Sequence, residues 1–267
     1  MGAVGDFPLE GKIVVVTGAG SGINLAFVRL AHTKGARIII ADLRLTKDAE
    51  DFLATVKDTV IFQPCDVTKR DDLETLITVS QNTFSDIPDV YVAGAGVFDP
   101  KHSNFWDDTE DDGYASLGVN LVHPIKLARI AIRELIGKDK PGVVLIIASM
   151  AGLIPLYADP LYSAAKHAMV GFARGMGHAD ELEGVRVAAI CPGITDENSQ
   201  TPEEVAVEMA ALVEDGTRYP GGTILQTSRR ATAIAPPPEG FKILKEIISG
   251  SIGLPGERLK GGRGALK

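Results

Sequence analysis

Seven short runs of apolar, largely β-branched residues recur along the chain, at 13–17, 37–41, 60–63, 90–93, 143–148, 185–190 and 223–225, each bounded by Gly, Pro or Asp. They carry no polar alternation, which marks strands covered on both faces rather than strands with a wet side. Between them, apolar residues fall at helical spacing, as in Leu73, Leu76, Ile77 and Phe84, or Val119, Val122, Leu127, Ile130 and Leu135. Covered strands that alternate with helices require a parallel sheet with right-handed crossovers. The predicted fold is α/β: a doubly wound, seven-stranded, mainly parallel sheet with helices on both faces. No shift in composition marks an internal linker in the 267 residues, so residues 1–230 are expected to form a single catalytic domain. Residues 231–267 read as a C-terminal extension that includes Pro236-Pro237-Pro238. Within it, 241–248 predicts a short amphipathic helix docking on the body or on a partner subunit.

Bulk composition narrows the function. With 27 Lys and Arg against 35 Asp and Glu, the net charge of −8 repels nucleic-acid phosphates and anionic membrane surfaces. Neither is an expected partner. Cys65 and Cys191 stand singly in apolar stretches, without a metal-ligand spacing, so no disulfide framework and no metal site are expected. The first residues lack a basic region followed by an apolar run, which predicts a cytoplasmic protein.

The first run passes directly into Thr17-Gly18-Ala19-Gly20-Ser21-Gly22-Ile23-Asn24, ahead of a helical segment. A strand, a glycine turn and a helix in this order let backbone N–H groups meet a pyrophosphate at the helix N-terminus. Gly18, Ser21, Gly22, Ile23 and Asn24 are therefore candidate cofactor contacts in a Rossmann arrangement. Asp42, at the end of the second run, is placed to accept from both ribose hydroxyls of an adenosine and to repel a 2′-phosphate. That favours NAD over NADP, although Arg44 stands nearby as a competing phosphate ligand. After the third run, Asp66 and Val67 fall where an adenine would lie, with a helix N-cap as the alternative role for Asp66.

The fifth run ends at Ser149, and Tyr162 and Lys166 follow four residues apart on one predicted helix face. A phenol titrates near 10, so working near neutrality asks for roughly 4 kcal/mol of phenolate stabilisation, which a neighbouring ammonium and a nicotinamide cation supply together. In this reading Ser149 holds the substrate oxygen, Tyr162 moves its proton and Lys166 activates the phenol and holds the ribose. The histidines read as packing or surface residues.

Taken in order, the glycine turn, Asp42, Asn120 in Gly118-Val119-Asn120, Ser149, the Tyr162/Lys166 pair and the turn Pro192-Gly193-Ile194 resemble the short-chain dehydrogenase/reductase family over about residues 10–228. The resemblance implies NAD(P)-dependent chemistry on CH–OH, with Asn120 holding a water of the proton relay. It also implies Gly94, Ala95, Pro192, Gly193, Ile194 and Thr195 against the cofactor, and a homodimer or homotetramer. More narrowly, Gly22-Ile23-Asn24-Leu25, 105–109 and His123-Pro124-Ile125-Lys126-Leu127 are similar to a fungal branch that includes 5′-hydroxyaverantin dehydrogenase and 15-hydroxyprostaglandin dehydrogenase-like proteins. That likeness implies a bulky, hydrophobic small-molecule substrate of polyketide or lipid type.

Three departures from the family pattern stand out. Asn24 occupies the third glycine position of the turn, where a side chain would crowd the pyrophosphate. Ala93-Gly94-Ala95-Gly96 replaces the family's NNAG and lacks its bracing amides. After the Pro192-Gly193 turn, 195–200 runs almost at once into a helix expected from Thr201-Pro202 to about Val213, which predicts a shortened substrate lid and puts Glu197 where a Thr is usual. The last two departures keep open a non-redox alternative, an isomerase, dehydratase or cyclase reusing the same pocket.

Overall fold

A computed structural model describes residues 2–56, 58–98, 105–106, 108, 113–193, 200–228 and 231–236. One sheet runs through it in the order β3-β2-β1-β4-β5-β6-β7-β8. Its strands are β1 (Ile13–Thr17), β2 (Arg37–Asp42), β3 (Val60–Pro64), β4 (Val90–Ala93), β5 (Gly142–Ile147), β6 (Val185–Pro192), β7 (Ile224–Ser228) and β8 (Ala231–Ile234). The first seven are parallel, and each matches one of the apolar runs to within a few residues. The eighth pairs antiparallel with β7, Thr227 opposite Thr232. The sheet therefore has eight strands, one more than expected. Residues 231–234 belong to it and not to an extension, and the compact unit they complete spans Met1–Ile234. All four residues of β8 are exposed, so no burial pattern announced the strand. It forms by backbone pairing to an edge. The helix expected at 241–248 lies outside the described residues.

Burial explains the parallel strands. Every residue of β1, β4 and β6 is buried, and alternate side chains face opposite layers. On one face Val14, Val16, Ile38, Ile40, Val92 and Leu145 pack with α1 (Gly22–Thr33), through Phe27 and Val28, and with α8 (Pro202–Glu214), through Val205, Met209 and Leu212. The N-terminal arm joins this layer, with Phe7 and Leu9 in the core and the Phe7 N–H donating to the Glu214 carbonyl at 2.8 Å. On the other face lie α3 (Arg70–Phe84), α5 (His123–Gly137) and α6 (Pro160–Gly175). The remaining helices, α2 (Lys47–Thr55), α4 (Ala115–Leu117) and α7 (Ala179–Glu183), are short.

Two local features aim residues at the site. Chain order reverses between β1 and β4, which opens a crevice at their C-terminal ends. A π-helical turn, Gly118–Val122, then interrupts the helix expected through 119–135 and leads into α5. Pro124 accounts for it: without an N–H it cannot make the α-helical bond to the Asn120 carbonyl, and the His123 N–H bonds instead to Gly118, five residues back.

Candidate active site

The turn after β1 has the form an anion requires. Gly18 and Gly22 take left-handed φ values of 69° and 59°, and no atom lies within 4 Å of where a Gly22 Cβ would stand. Gly22 and Ser21 are exposed, no side chain caps α1, and its first turn carries no acidic residue. The positive end of the helix dipole is left for an external anion. A dinucleotide pyrophosphate fits this cradle.

Asp42 stands at the end of β2, half-buried, and one carboxylate oxygen accepts the Gly20 N–H at 2.8 Å. The other oxygen is 3.4 Å from the Arg44 N–H. Each oxygen has a second lone pair, so capacity for ribose hydroxyls remains. Asp66 is committed more locally. Its carboxylate accepts from the backbone and hydroxyl of Thr68, at 3.1 and 2.7 Å, and pairs with Lys69 at 3.4 Å. Those contacts, the Thr68 hydroxyl foremost, hold its pKa below the usual range. The N-cap of α3 is Lys69, so Asp66 closes a turn rather than capping the helix. Val67 is buried beside it.

The two departures in the cradle prove to be one feature. Asn24 is buried, and its Nδ2 donates to the carbonyls of Gly18 at 3.1 Å and Gly94 at 2.9 Å. The segment Ala93-Gly94-Ala95-Gly96 is therefore braced from outside. Thr17 braces it as well, its hydroxyl accepting from Gly94 N–H at 3.0 Å and standing 3.1 Å from the Val92 carbonyl. Behind Thr17 lies His123 Nε2, at 3.0 Å, in a ring whose pKa burial pushes down to about 4. His123 is a neutral packing residue, as read from the sequence.

Ser149 follows β5 and caps the 3₁₀ turn Met150–Gly152, its Oγ accepting from Ala151 N–H at 3.1 Å. That turn packs on α6 so closely that a Cβ on Gly152 would stand 2.5 Å from the Lys166 carbonyl oxygen. Asp159 caps α6 by accepting from Tyr162 N–H at 3.0 Å, with Pro160 in the first helical turn. The result brings Ser149, Tyr162 and Lys166 together. Burial raises the Tyr162 phenol above its ordinary pKa, and a hydrogen bond from Ser149 opposes that rise. Lys166 is 4% exposed, and its Nζ lies 5.4 Å from the centre of the Tyr162 ring. It donates to the Ile147 carbonyl at 2.8 Å. Loss of solvation brings its pKa down to about 8.

Asn120 lies close to Lys166, both reaching within 4 Å of where a Gly96 Cβ would stand, but its side chain does other work. Its Oδ1 accepts from Val97 N–H at 3.0 Å and its Nδ2 donates to the Val97 carbonyl at 2.9 Å. Both amide atoms hold the strand-end segment beside Lys166, and each keeps capacity for one further hydrogen bond. Pro124 removes the α-helical donor to the Asn120 backbone carbonyl.

A cleft of about 200 Å³ opens among these residues, lined by Ile23, Gly94, Gly96, Phe98, Ser149, Tyr162, Lys166, Pro192 and Gly193. Ala95 adjoins it in sequence, with its N–H 3.4 Å from the Thr17 hydroxyl. Ile194, Thr195 and the expected lid at 195–199 lie outside the described residues. Gln200 is buried and the following helix begins at a Thr201 capping box with Glu204, as expected. Phe98, which no sequence motif marks, meets the Tyr162 ring edge-on at 4.8 Å and is 62% exposed. A larger hollow of about 430 Å³ lies against α2 and β3, where Glu50 is the sole titratable residue among its lining residues. It holds no chemistry.

The short chain dehydrogenase family profile matches residues 12–206. Bovine 15-hydroxyprostaglandin dehydrogenase [NAD(+)] is 32% identical over 197 residues, 70% of either chain. An uncharacterised oxidoreductase of Thermotoga maritima is 29% identical over 76% of this chain and 83% of its own. Among solved structures, a short chain dehydrogenase from Mycobacterium smegmatis superposes with a TM-score of 0.73 at 30% identity, covering 86% of this chain and 98% of its own. The chain belongs to the short-chain dehydrogenase family. It is an oxidoreductase of a family whose members use NAD(P).

Proposed function

We propose that the protein is an NAD-dependent oxidoreductase that interconverts a secondary alcohol and a ketone on a bulky, hydrophobic substrate of polyketide or lipid type. The observation that carries the chemistry is the meeting of half-buried Ser149 and Tyr162 with buried Lys166 in a cleft whose upper turn suits a pyrophosphate. The nicotinamide supplies hydride transfer. Ser149 orients the substrate oxygen, Tyr162 takes its proton during oxidation or returns it during reduction, and Lys166 holds positive charge against the phenolate. Asp42 supports NAD, because a 2′-phosphate would face a carboxylate already fixed by the Gly20 N–H. For the substrate, Phe98 in the cleft and the exposed Ile154 and Tyr157, on the loop between Ser149 and Tyr162, offer an apolar wall. The bovine relative, named for a hydroxyprostaglandin, supports the same class. The fungal branch, a cytoplasmic setting and a homodimer or homotetramer complete the proposal. The non-redox alternative loses a main support, since Asn24 and Thr17 restore the bracing that the Gly94 segment lacks.

Absorbance at 340 nm tests this reading, with NAD or NADP and a panel of hydrophobic secondary alcohols. NADH should appear with at least one of them, at a kcat/KM for NAD at least tenfold that for NADP. Tight NADH binding without turnover on any alcohol or ketone would overturn the redox reading.

The pH profile has a defined sign. Oxidation needs the Tyr–Lys pair to have given up one proton before it accepts another from the alcohol, and the first proton leaves near the Lys166 value of about 8. Below that pH, kcat/KM for oxidation should rise about tenfold per unit and then level off above it, because this ratio reports the free enzyme. Ketone reduction consumes the proton and should run the opposite way. An oxidation rate that falls between pH 6 and 8 would contradict the assignment.

A further inference from the structure

Asn24 joins two walls of the cleft, the Gly18 turn and the Gly94 turn, and its role there rests on the dinucleotide reading of that cleft. We infer that Asn24 is a positioning residue for the nicotinamide half of the cofactor, and that it forms an exchange pair with Gly94. The family carries a glycine at the first position and an asparagine at the second; this chain carries the reverse. Space enforces the reversal: a Cβ on Gly94 would stand 2.6 Å from both Cγ and Nδ2 of Asn24 and nearer still to its Oδ1. Only one of the two positions has room for a side chain. An amide reaching in from α1 thus fills the volume beside the β4 turn, 70 residues away in sequence, and ties that turn to Gly18 at the mouth of the phosphate cradle.

The amide's orientation is fixed by chemistry. Both neighbours are carbonyl oxygens, so Nδ2 must face them, and a flipped amide would set Oδ1 against two acceptors. Oδ1 is consequently left buried without a partner, in a residue 8% exposed. That atom is closed off from solvent, so Asn24 acts on the cofactor through the two turns it ties. The adjoining Ile23 and Gly94 line the same cleft as Tyr162, which puts its effect on the nicotinamide side.

Equilibrium binding of NADH and of AMP to the full chain, by fluorescence and calorimetry, separates positioning from mere support. Asn24→Gly should raise the NADH Kd at least tenfold and leave the AMP Kd within twofold, since AMP reaches only the Asp42 end. Asn24→Ser, too short to span both carbonyls, should fall between and guards against a folding failure in the glycine variant. Gly94→Asn alone should bind NADH worst, and the exchange variant N24G/G94N should recover at least half of the loss on a logarithmic scale. NADH affinity within twofold of the parent in both Asn24 variants would overturn the inference. So would equal weakening of NADH and AMP, which marks a fold-supporting role, or an exchange variant no better than Gly94→Asn. Failure of the parent to bind NADH at all would strike down the dinucleotide reading first, and this inference with it.

Discussion

Tyr162→Phe should lower kcat by roughly a thousandfold, about 4 kcal/mol of barrier, while the NADH Kd moves less than about threefold. The substitution removes one oxygen. The ring contact with Phe98, the Lys166 bond to the Ile147 carbonyl and the Asp159 cap on the helix are all made by atoms that phenylalanine retains or that belong to other residues. What disappears is the proton carrier. Turnover at saturating NAD and alcohol, followed at 340 nm, gives kcat; fluorescence titration gives the Kd. A variant within tenfold of the parent kcat would move the acid–base role to another group. Cys191 is another titratable side chain nearby, but burial raises its thiol to about 11, which suits it poorly for that duty.

Most of this site was legible because its residues announce themselves locally. Tyr162 and Lys166 share a helix face through spacing alone, and the seven parallel strands show as apolar runs because both of their faces are covered. What escaped notice depends on partners distant in sequence. Asn24 and Gly94 look like two separate defects until a 2.9 Å bond joins them. Arg186, fully buried in β6, donates to the carbonyls of Tyr219 and Val213, which no local pattern around a lone charge in an apolar run predicts. The strand β8 has no buried residue, so hydrophobic pattern is silent about it. Asn120 stands near Lys166, and its amide bonds to Val97 join residues 23 apart, which no local pattern predicts.

The glycines of the cradle should separate backbone strain from crowding when each is replaced by alanine. At Gly18 both costs apply: a left-handed φ of 69°, worth about 1–2 kcal/mol, and a Cβ that would stand 2.5 Å from Ala95 Cα and 2.7 Å from Ala95 N. Those are backbone atoms of the turn that Thr17 and Asn24 hold in place, so they yield only by opening the cleft. Adding an overpacking cost of about 1–3 kcal/mol gives a loss of roughly 2–5 kcal/mol, or a fall in Tm of roughly 5–15 °C. At Gly22 the φ of 59° is similar but nothing lies within 4 Å, so strain acts alone and the loss should be about 1–2 kcal/mol. Gly20 isolates the other cost: its φ is ordinary, and its Cβ would press on the Arg44 carbonyl and on Asp42 at 3.0 Å. Because Arg44 is exposed, that loop gives way more cheaply than the Ala95 turn, and the penalty should appear chiefly as weaker adenosine binding through a displaced Asp42. Thermal melts by circular dichroism should therefore rank Gly18→Ala as the most damaging of the three, with AMP affinity falling most in Gly20→Ala. Equal melting losses at Gly18 and Gly22 would mean that the Ala95 turn moves freely, and would remove the premise that Asn24 and Thr17 hold the floor of the cleft rigid.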